Sequence, residues 1–315
     1  MNSDPLIIGV HYDVAYERHD TGPGHPESAG RYRVLREALA TLPPDIIRFP
    51  GRRATVAEVL LVHEAYYHDL VYRDVEGFAD VLRTGDTAIC AESYVVALEA
   101  SGAVLAAVDA VMAGSLTRAF CAVRPPGHHA TANRGMGFCL FNNVAIAARY
   151  LQKHHGLERI AIIDWDEHHG NGTDEIFSTD PSVFYFSMHE RGSYPFTGGE
   201  EDHGSGEGVG VTLNMPLPQG SGGEIALAAW DDVAAPMLED FRPEFVLISA
   251  GFDARRGDPL GGLHWEDSTF ASLTKRVVAL AEKHAKGRVV SALEGGYNPA
   301  GLAAAALAHV LALGE

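Results

Sequence analysis

The sequence predicts an α/β fold with a mostly parallel central sheet. Two observations predict it: short apolar runs rich in Val, Ile and Phe recur along the chain, and longer helix-like segments lie between several of them. Runs that stay apolar without alternating are typical of strands buried on both faces of a parallel sheet. Strands that alternate with helices of this length indicate βαβ units.

The predicted elements cover most of the chain. We interpret as strands the runs Leu6–Val10, Phe120–Val123, Ile160–Ile163, Val183–Phe186, Val209–Leu213, Phe245–Ile248 and Val289–Leu293. The helical segments are Ser93–Met112, Asn142–His154, Glu224–Leu238, Thr269–Lys286 and Pro299–Leu313. No linker, charge block or internal repeat divides residues 1–315, so we interpret them as a single domain. Two stretches dense in Gly and Pro, Tyr16–Arg31 and Glu190–Gly223, are long enough to suggest functional loops.

Composition and charge narrow the class of function. The formal net charge of -18 argues against a nucleic-acid partner, which needs clustered Lys and Arg, whereas a cationic substrate would be attracted. Met1–Val10 lacks the basic region of a signal peptide, and Leu302–Leu313 is shorter than the ~20 residues of a membrane span. We therefore expect a soluble, cytoplasmic protein without membrane contact. Three cysteines (Cys90, Cys121 and Cys139) lack CxxC spacing and suggest neither a disulfide framework nor a cysteine zinc site.

Polar clusters begin where four of the predicted strands end. The clusters are Arg124–His129, Asp164–His169, Gly251–Asp253 and Glu294–Tyr297. In open α/β sheets the carboxyl ends of the strands form the ligand crevice, so we expect the four clusters to converge on one site.

Three residues in these clusters have the spacing of metal ligands. Asp166 and His168 share one face while the chain stays extended, and Asp253 would join them from another strand end. Three such ligands leave a fourth position open, as in catalytic zinc sites, although iron or cobalt would suit the same groups. Surface carboxylates would give a similar pattern, but charges that directly follow a buried strand are costly unless they are paired or bind a metal.

Two further features point to hydrolysis at a metal site. His128 and His129 follow the stiff Pro125–Gly127 turn, and a histidine beside an activated water can act as general base and then protonate a leaving amine. Tyr297 follows two glycines that allow a sharp bend, and its phenol could stabilise an oxyanion. Each feature alone is also typical of an ordinary loop. Their shared position at strand ends favours function.

Taken together, these residues make the chain resemble the histone deacetylase family, of the arginase-deacetylase fold, over nearly its whole length. The matching motifs are Gly24–Ser28 with Arg31, Gly85–Thr87, Arg124–Ala130, Gly137–Asn143, Asp164–Thr173, Gly251–Ala254, Gly257–Gly261 and Glu294–Tyr297. So many motifs in the right order are highly specific. The resemblance implies a three-layer α/β/α domain with about eight strands.

The resemblance also implies roles for individual residues. They are zinc ligation by Asp166, His168 and Asp253, general base and acid catalysis by His129, a second histidine His128 paired with Asp164, and oxyanion stabilisation by Tyr297. Asn171 stands where class I enzymes carry Asp and class II enzymes carry Asn, so the chain looks like class II. Family members hold a structural potassium ion, for which the matching groups are Asp164, Ser187, Met188 and the main chain of Asp166 and His168.

A narrow acyl-lysine channel is implied as well. Phe138, beside Gly137, matches one wall, and the other wall should come from the 194–196 loop, where Tyr194 or Phe196 could face Phe138. Asp86 matches the rim aspartate that binds substrate backbone amides. Leu260 stands where the polyamine-selective class IIb enzyme has a gatekeeper glutamate.

These matches imply a zinc-dependent amidohydrolase that removes an acetyl or other short acyl group from acetyl-lysine and releases acetate. Full activity is expected because Tyr297, which weakly active class IIa members lack, is present. An acetylpolyamine amidohydrolase stays an alternative, since bacterial enzymes of that kind use an inserted loop and a dimer interface to form an acidic gate. Glu200–Asp202 or Tyr16–Asp20 could serve as such a gate in a homo-oligomer.

Two remoter alternatives are disfavoured. A two-manganese ureohydrolase would need an acid where Arg255 stands. An inactive binding protein would be expected to have lost Tyr297 or a metal ligand.

Overall fold

The central element of the protein is a parallel sheet, seen here in a computed structural model that describes residues 6–315. Residues 1–5 lie outside the described residues. They form the first half of Met1–Val10, for which no signal peptide is predicted. The strands are β1 (Ile8–His11), β2 (Ile47–Arg48), β3 (Arg118–Cys121), β4 (Ile160–Asp164), β5 (Val183–Glu190), β6 (Thr212–Leu217), β7 (Phe245–Ala250) and β8 (Val289–Leu293). Their order across the sheet is β2-β1-β3-β8-β7-β4-β5-β6, and every neighbouring pair is parallel.

Helices cover the sheet in two groups. They are α1 (Ala29–Leu39), α2 (Val56–Val59), α3 (Ala65–Glu76), α4 (Ser93–Met112), α5 (Asn143–His155), α6 (Asn171–Phe177), α7 (Gly223–Ala229), α8 (Ala235–Phe241), α9 (Asp267–His284) and α10 (Pro299–Leu313). Helix α4 packs on β3 and β8 and contacts α3 and α5, while α10 packs on β3 and contacts α1 and α9. These contacts give the three-layer arrangement that buried parallel strands require.

The predicted α/β class with a parallel sheet is confirmed, and most predicted elements are present within a few residues. Helices α4 and α10 and strand β8 have the predicted bounds. The strand predicted at Val209–Leu213 is displaced and forms β6 at Thr212–Leu217. Val209 is exposed beside a 3₁₀ turn, whereas the less apolar Asn214 and Pro216 belong to the strand. Proline is tolerated there because β6 is an edge strand.

Several elements have no predicted counterpart. Helices α1, α2, α3 and α6 and strand β2 are short or half-exposed, so they lack the continuous apolar pattern that marks the others. The predicted helix Glu224–Leu238 consists of α7 and α8 joined by a π-helical turn at Trp230–Ala234. Helix α1 starts inside the predicted loop Tyr16–Arg31, where the Ser28 side chain caps it by accepting from the N–H of Arg31.

Helix α4 is the most apolar long helix of the described residues. By length and composition it is the one described helix that could cross a membrane, but 67% of its most apolar window is buried inside the protein. A helix buried in the core of an α/β protein has the same length and apolar composition.

Four consecutive strands position the candidate site. In the sheet, β3, β8, β7 and β4 are neighbours, and because all four are parallel their carboxyl ends meet at one edge. The polar clusters of the sequence follow these four strands.

Close packing of α4 gives the first testable prediction. A Cβ added at Gly102 would lie 2.3 Å from the carbonyl oxygen of Arg52 and 2.4 Å from the nitrogen of Ala54, so Gly102→Ala forces two backbone segments apart. We expect a loss of about 2 kcal/mol or more in the free energy of unfolding, measured by urea titration. Gly30→Ala in α1 is the matched control, since its Cβ meets nothing closer than 3.5 Å, and it should stabilise by up to about 1 kcal/mol. Equal stability of Gly102→Ala and wild type would contradict this account of the packing.

Candidate active site

The metal-ligand candidates lie together at the carboxyl edge of the sheet. Single ligand atoms of Asp166, His168 and Asp253 all lie within 4.8 Å of one another, and the three residues are at most 9% exposed. His168 Nδ1 is 3.2 Å from Asp166 Oδ1 and 3.1 Å from Asp253 Oδ2. The structure thus brings the three predicted ligands into one buried group.

Backbone donors fix the two carboxylates of this group. Asp166 Oδ1 accepts from the N–H of His168 at 2.9 Å, and its Oδ2 accepts from the N–H of Gly295 at 2.8 Å. Asp253 Oδ1 accepts from the N–H of Glu167 at 2.9 Å. A Cβ at Gly295 would lie 2.1 Å from Asp253 Oδ2, so glycine is needed for the β8 loop to approach the carboxylates. Asp253 Oδ2 and His168 Nδ1 consequently face each other.

The charges in this group suit a cation. Although burial opposes the charged imidazole, its hydrogen bonds to Asp166 and Asp253 raise the pKa of His168 well above its ordinary value. Burial and the neighbouring Asp166 raise the pKa of Asp253 to about 7. Two buried carboxylates with one imidazole between them carry excess negative charge, which is costly without a counter-cation. Two carboxylate oxygens and one imidazole nitrogen form a donor set that fits Zn²⁺ with an open position.

His129 is held in one tautomer by Asn171. Its Nδ1 lies 2.8 Å from Asn171 Oδ1, and because an amide oxygen only accepts, Nδ1 carries the proton and Nε2 is free to accept one. Burial, followed by the positive charge on His128 and His168, holds the pKa of His129 well below its ordinary value. His129 is therefore a neutral imidazole with an available basic nitrogen.

His128 has the opposite electrostatic character. Its Nδ1 is 3.0 Å from Asp164 Oδ2, and its Nε2 is 3.8 Å from Asp166 Oδ1. Burial disfavours the charged ring, but the two carboxylates outweigh it and raise the pKa of His128 to about 10. His128 is a buried cation that partly offsets the carboxylates.

The groups expected to hold potassium lie behind this pair. Asp164 and Ser187 are register partners on β4 and β5, and Met188 follows, all fully buried. Asp164 already accepts from the N–H of Asp166 and from the Tyr185 hydroxyl. The potassium site stays a prediction.

Two side chains, Asp258 and Arg31, hold the loop that carries Tyr297. Asp258 Oδ2 accepts from the N–H of Tyr297 at 2.6 Å and from that of Asn298 at 3.0 Å. The guanidinium of the buried Arg31 lies 5.2 Å from the centroid of the Tyr297 ring and donates to the carbonyl oxygen of Gly296. Burial raises the pKa of Tyr297 well above its ordinary value, so its hydroxyl stays a hydrogen-bond donor.

A narrow cavity leads to these groups. Its volume is about 260 Å³, and it is lined by Asp86, His129, Gly137, Phe138, His168, Ser193, Tyr194, Leu260 and Tyr297. Of the two alternatives in the 194–196 loop, Tyr194 lines the cavity wall, whereas the predicted substrate contact of Phe196 is wrong because Phe196 does not line this cavity. Phe196 is 78% exposed and lies in a separate groove with Arg191 and Glu200. Its N–H closes a turn onto the carbonyl of Ser193, which turns the chain away from the cavity after Tyr194.

The part of the cavity wall formed by Gly137 and Phe138 has an unusual backbone. Gly137 and Phe138 both have left-handed φ angles, 56° and 67°. A Cβ at Gly137 would lie 2.3 Å from the His129 ring, so only glycine fits against this histidine. The N–H of Gly137 donates to Asp86 Oδ1 at 2.8 Å, which ties the wall to the exposed rim carboxylate.

Three supporting carboxyl groups had no role assigned from the sequence. Glu294, inside a recognised motif, accepts from the N–H of Gly127 at 2.6 Å and of His128 at 3.1 Å and so fixes the histidine turn. Asp258 holds Tyr297, as described above. Glu167 lies between the candidate ligands Asp166 and His168, and its Oε1 accepts from the N–H of Leu263 at 2.9 Å, which anchors the loop that carries Leu260. Their contacts join segments far apart in sequence. The one sequence feature that could have indicated their importance is that each lies within a recognised motif.

Comparison with known proteins agrees with this geometry. Residues 25–313 match the model of the histone deacetylase domain. A probable deacetylase of Archaeoglobus fulgidus is 39% identical over 300 residues, covering 94% of this chain and 83% of the relative. A histone deacetylase-like amidohydrolase of Pseudomonas aeruginosa is 37% identical, covering 88% of this chain and 73% of the relative.

A solved structure has the same fold. The crystal structure of the HDA15 HD domain matches with a TM-score of 0.91 and 34% identity, over 99% of this chain and 90% of that one. The resemblance found in the sequence motifs is thereby confirmed. The chain belongs to the histone deacetylase family and is a hydrolase of the deacetylase and amidohydrolase type.

Proposed function

We propose that the protein is a zinc-dependent deacetylase that hydrolyses the acetyl amide of acetyl-lysine and releases acetate. The observation that carries the proposal is the buried group of Asp166, His168 and Asp253 beside a narrow cavity. Bound there, zinc would polarise the acetyl carbonyl and lower the pKa of a water molecule.

The side chains around the cavity supply the remaining chemistry. His129 Nε2 takes the proton of the attacking water while Asn171 holds Nδ1–H in place. The Tyr297 hydroxyl donates to the oxygen that becomes negative in the tetrahedral intermediate. When that intermediate collapses, His129 returns the proton to the leaving amine.

The surroundings of the cavity support acetyl-lysine over an acetylated polyamine. Leu260, an apolar side chain, lines the cavity where an acidic gate would attract a second amine. The acidic stretch Glu200–Asp202 lines a separate groove, and Asp20 lines another. The polyamine alternative keeps some support from the exposed Asp86 at the rim and from the net charge of -18.

Zinc binding is tested by a variant that changes charge with little change of shape. Asp253→Asn removes one of two facing buried carboxylates, so with a chelator present its melting temperature should equal or exceed that of wild type. Adding zinc should raise the melting temperature of wild type but not of Asp253→Asn. Elemental analysis should find about one zinc per chain in wild type but not in Asp253→Asn. Asp232→Asn, at an exposed position, is the matched control and should behave as wild type. Equal zinc content in Asp253→Asn would rule out this residue as a ligand.

The assigned roles of His129 and Tyr297 predict loss of turnover with zinc content intact. His129→Ala removes the general base and should lower kcat by about 10²- to 10⁴-fold. Tyr297→Phe removes one oxyanion donor and should lower kcat by about 10²- to 10³-fold. The measurement is acetate release from a fluorogenic acetyl-lysine amide. His203→Ala and Tyr66→Phe, both at exposed positions, are the matched controls. Unaltered turnover in either active-site variant would refute that residue's role.

Substrate class is tested on zinc-loaded wild type. We expect kcat/KM for an acetyl-lysine peptide to exceed that for N-acetylputrescine and N-acetylspermidine by about 10-fold or more, on the order of 1.4 kcal/mol. The apolar Leu260 offers no partner for a second amine, which is the reason for this order. The reverse order would make the protein an acetylpolyamine amidohydrolase with the same active-site groups.

A further inference from the structure

A hydrogen bond at the rim of the cavity joins two of its lining residues. The Tyr194 hydroxyl donates to Asp86 Oδ2 at 3.1 Å, while Asp86 Oδ1 accepts from the N–H of Gly137 at 2.8 Å. We propose that Tyr194 is a specificity-determining residue whose hydroxyl orients the Asp86 carboxylate to accept a neutral amide N–H of the substrate. The inference rests on the proposed acetyl-lysine deacetylase function and assigns its peptide selectivity to this pair.

Tyr194 is fixed in direction by its neighbours. Its half-buried ring meets the His129 ring edge-on, with centroids 5.2 Å apart and planes at 89°. The loop that follows is tied to the sheet, because the Thr197 hydroxyl is 2.8 Å from His169 Nδ1 and the Gly198 carbonyl is 2.9 Å from His189 Nε2. The ring contact with His129 and the hydrogen bonds of the following loop together hold the phenol in the direction of Asp86.

The hydroxyl is a permanent donor to the carboxylate. Burial, followed by the negative charge of Asp86, raises the pKa of Tyr194 above its ordinary value, so the phenol stays protonated at any physiological pH. A carboxylate has about four acceptor positions, and the donors from Tyr194 and Gly137 occupy one on each oxygen. The remaining positions are held in a fixed orientation at the channel mouth.

A carboxylate in a fixed orientation binds a neutral N–H donor better than a freely rotating carboxylate does. The backbone N–H of an acyl-lysine residue gains from correct orientation, because hydrogen bonds weaken steeply when misaligned. An ammonium group is attracted to the charge of the Asp86 carboxylate whatever the orientation of that carboxylate. The hydrogen bond from the Tyr194 hydroxyl partly neutralises this charge and so weakens the attraction. The pair of Tyr194 and Asp86 consequently favours peptide substrates over free polyamines.

Removing the Tyr194 hydroxyl should change kcat/KM differently for the two substrate classes. In Tyr194→Phe the Asp86 carboxylate keeps only the Gly137 donor, so it can rotate and presents more of its charge. We expect kcat/KM for an acetyl-lysine peptide to fall by about 5- to 10-fold through KM, the loss of one oriented hydrogen bond. The kcat/KM for N-acetylspermidine should stay equal or rise. Tyr66→Phe, 71% exposed on α3, is the matched control and should change neither substrate.

A double-mutant cycle separates this role from general damage to the site. In the Asp86→Ala background the carboxylate is absent, so adding Tyr194→Phe should cause little further loss of peptide kcat/KM. A second readout without turnover is the dissociation constant of the acetyl-lysine peptide in the Tyr297→Phe background. Adding Tyr194→Phe there should weaken binding by the same 5- to 10-fold factor.

The outcomes distinguish this inference from the function beneath it. Equal losses for both substrates, a loss confined to kcat, or an undiminished loss in the Asp86→Ala background would overturn the role of Tyr194. If zinc-loaded wild type deacetylates neither substrate, the proposed function fails, and the peptide-binding comparison still decides the role of Tyr194. If neither Tyr297→Phe nor the double variant with Tyr194→Phe binds the peptide, both the inference and the proposed function are overturned.

Discussion

Carboxylates buried at the carboxyl edge of the sheet constrain the rest of the structure. Asp164, Asp166, Asp253, Glu294 and Glu27 are each at most 1% exposed, and an ionised carboxylate in such a place costs several kcal/mol unless it is compensated. Compensation comes from backbone N–H groups of the loops and from cationic side chains. Those loops must approach the sheet closely, so the compensation of charge determines their shape.

The recognised motifs fit this requirement. The guanidinium of Arg124 pairs with Glu27 Oε1 at 2.6 Å and that of Arg31 pairs with the same oxygen at 3.0 Å, and these groups hold the Pro125–Gly127 turn and the Tyr297 loop against one another. Burial alone would raise the pKa of Glu27, but the two arginines lower it to about 2. One buried carboxylate thus connects the loop that carries His129 to the loop that carries Tyr297.

The sequence predicted best what depends on adjacent residues. Buried strands are apolar without interruption, and polar residues after them mark the carboxyl edge, so the candidate ligands and both histidines could be placed there from the sequence. The displaced strand β6 and the exposed Phe196 could not be predicted, because edge position and turn direction depend on what packs from elsewhere. No role was predicted for Glu167, because its partner, the N–H of Leu263, lies 96 residues away. Sequence patterns do not contain such pairings.

Adjacent histidines with opposite charge states show how neighbours set chemistry. His128 and His129 have the same side chain on consecutive residues, and their ring centroids are 4.0 Å apart. The carboxylate of Asp164 keeps His128 cationic, whereas the neutral amide of Asn171 orients His129 and stabilises its charged form too weakly to offset burial. A second cation so close is unfavourable, so the charge on His128 helps to keep His129 neutral. A base that must first accept and then release a proton, the role proposed for His129, needs this neutral ground state, and here burial and the neighbouring charge of His128 enforce it.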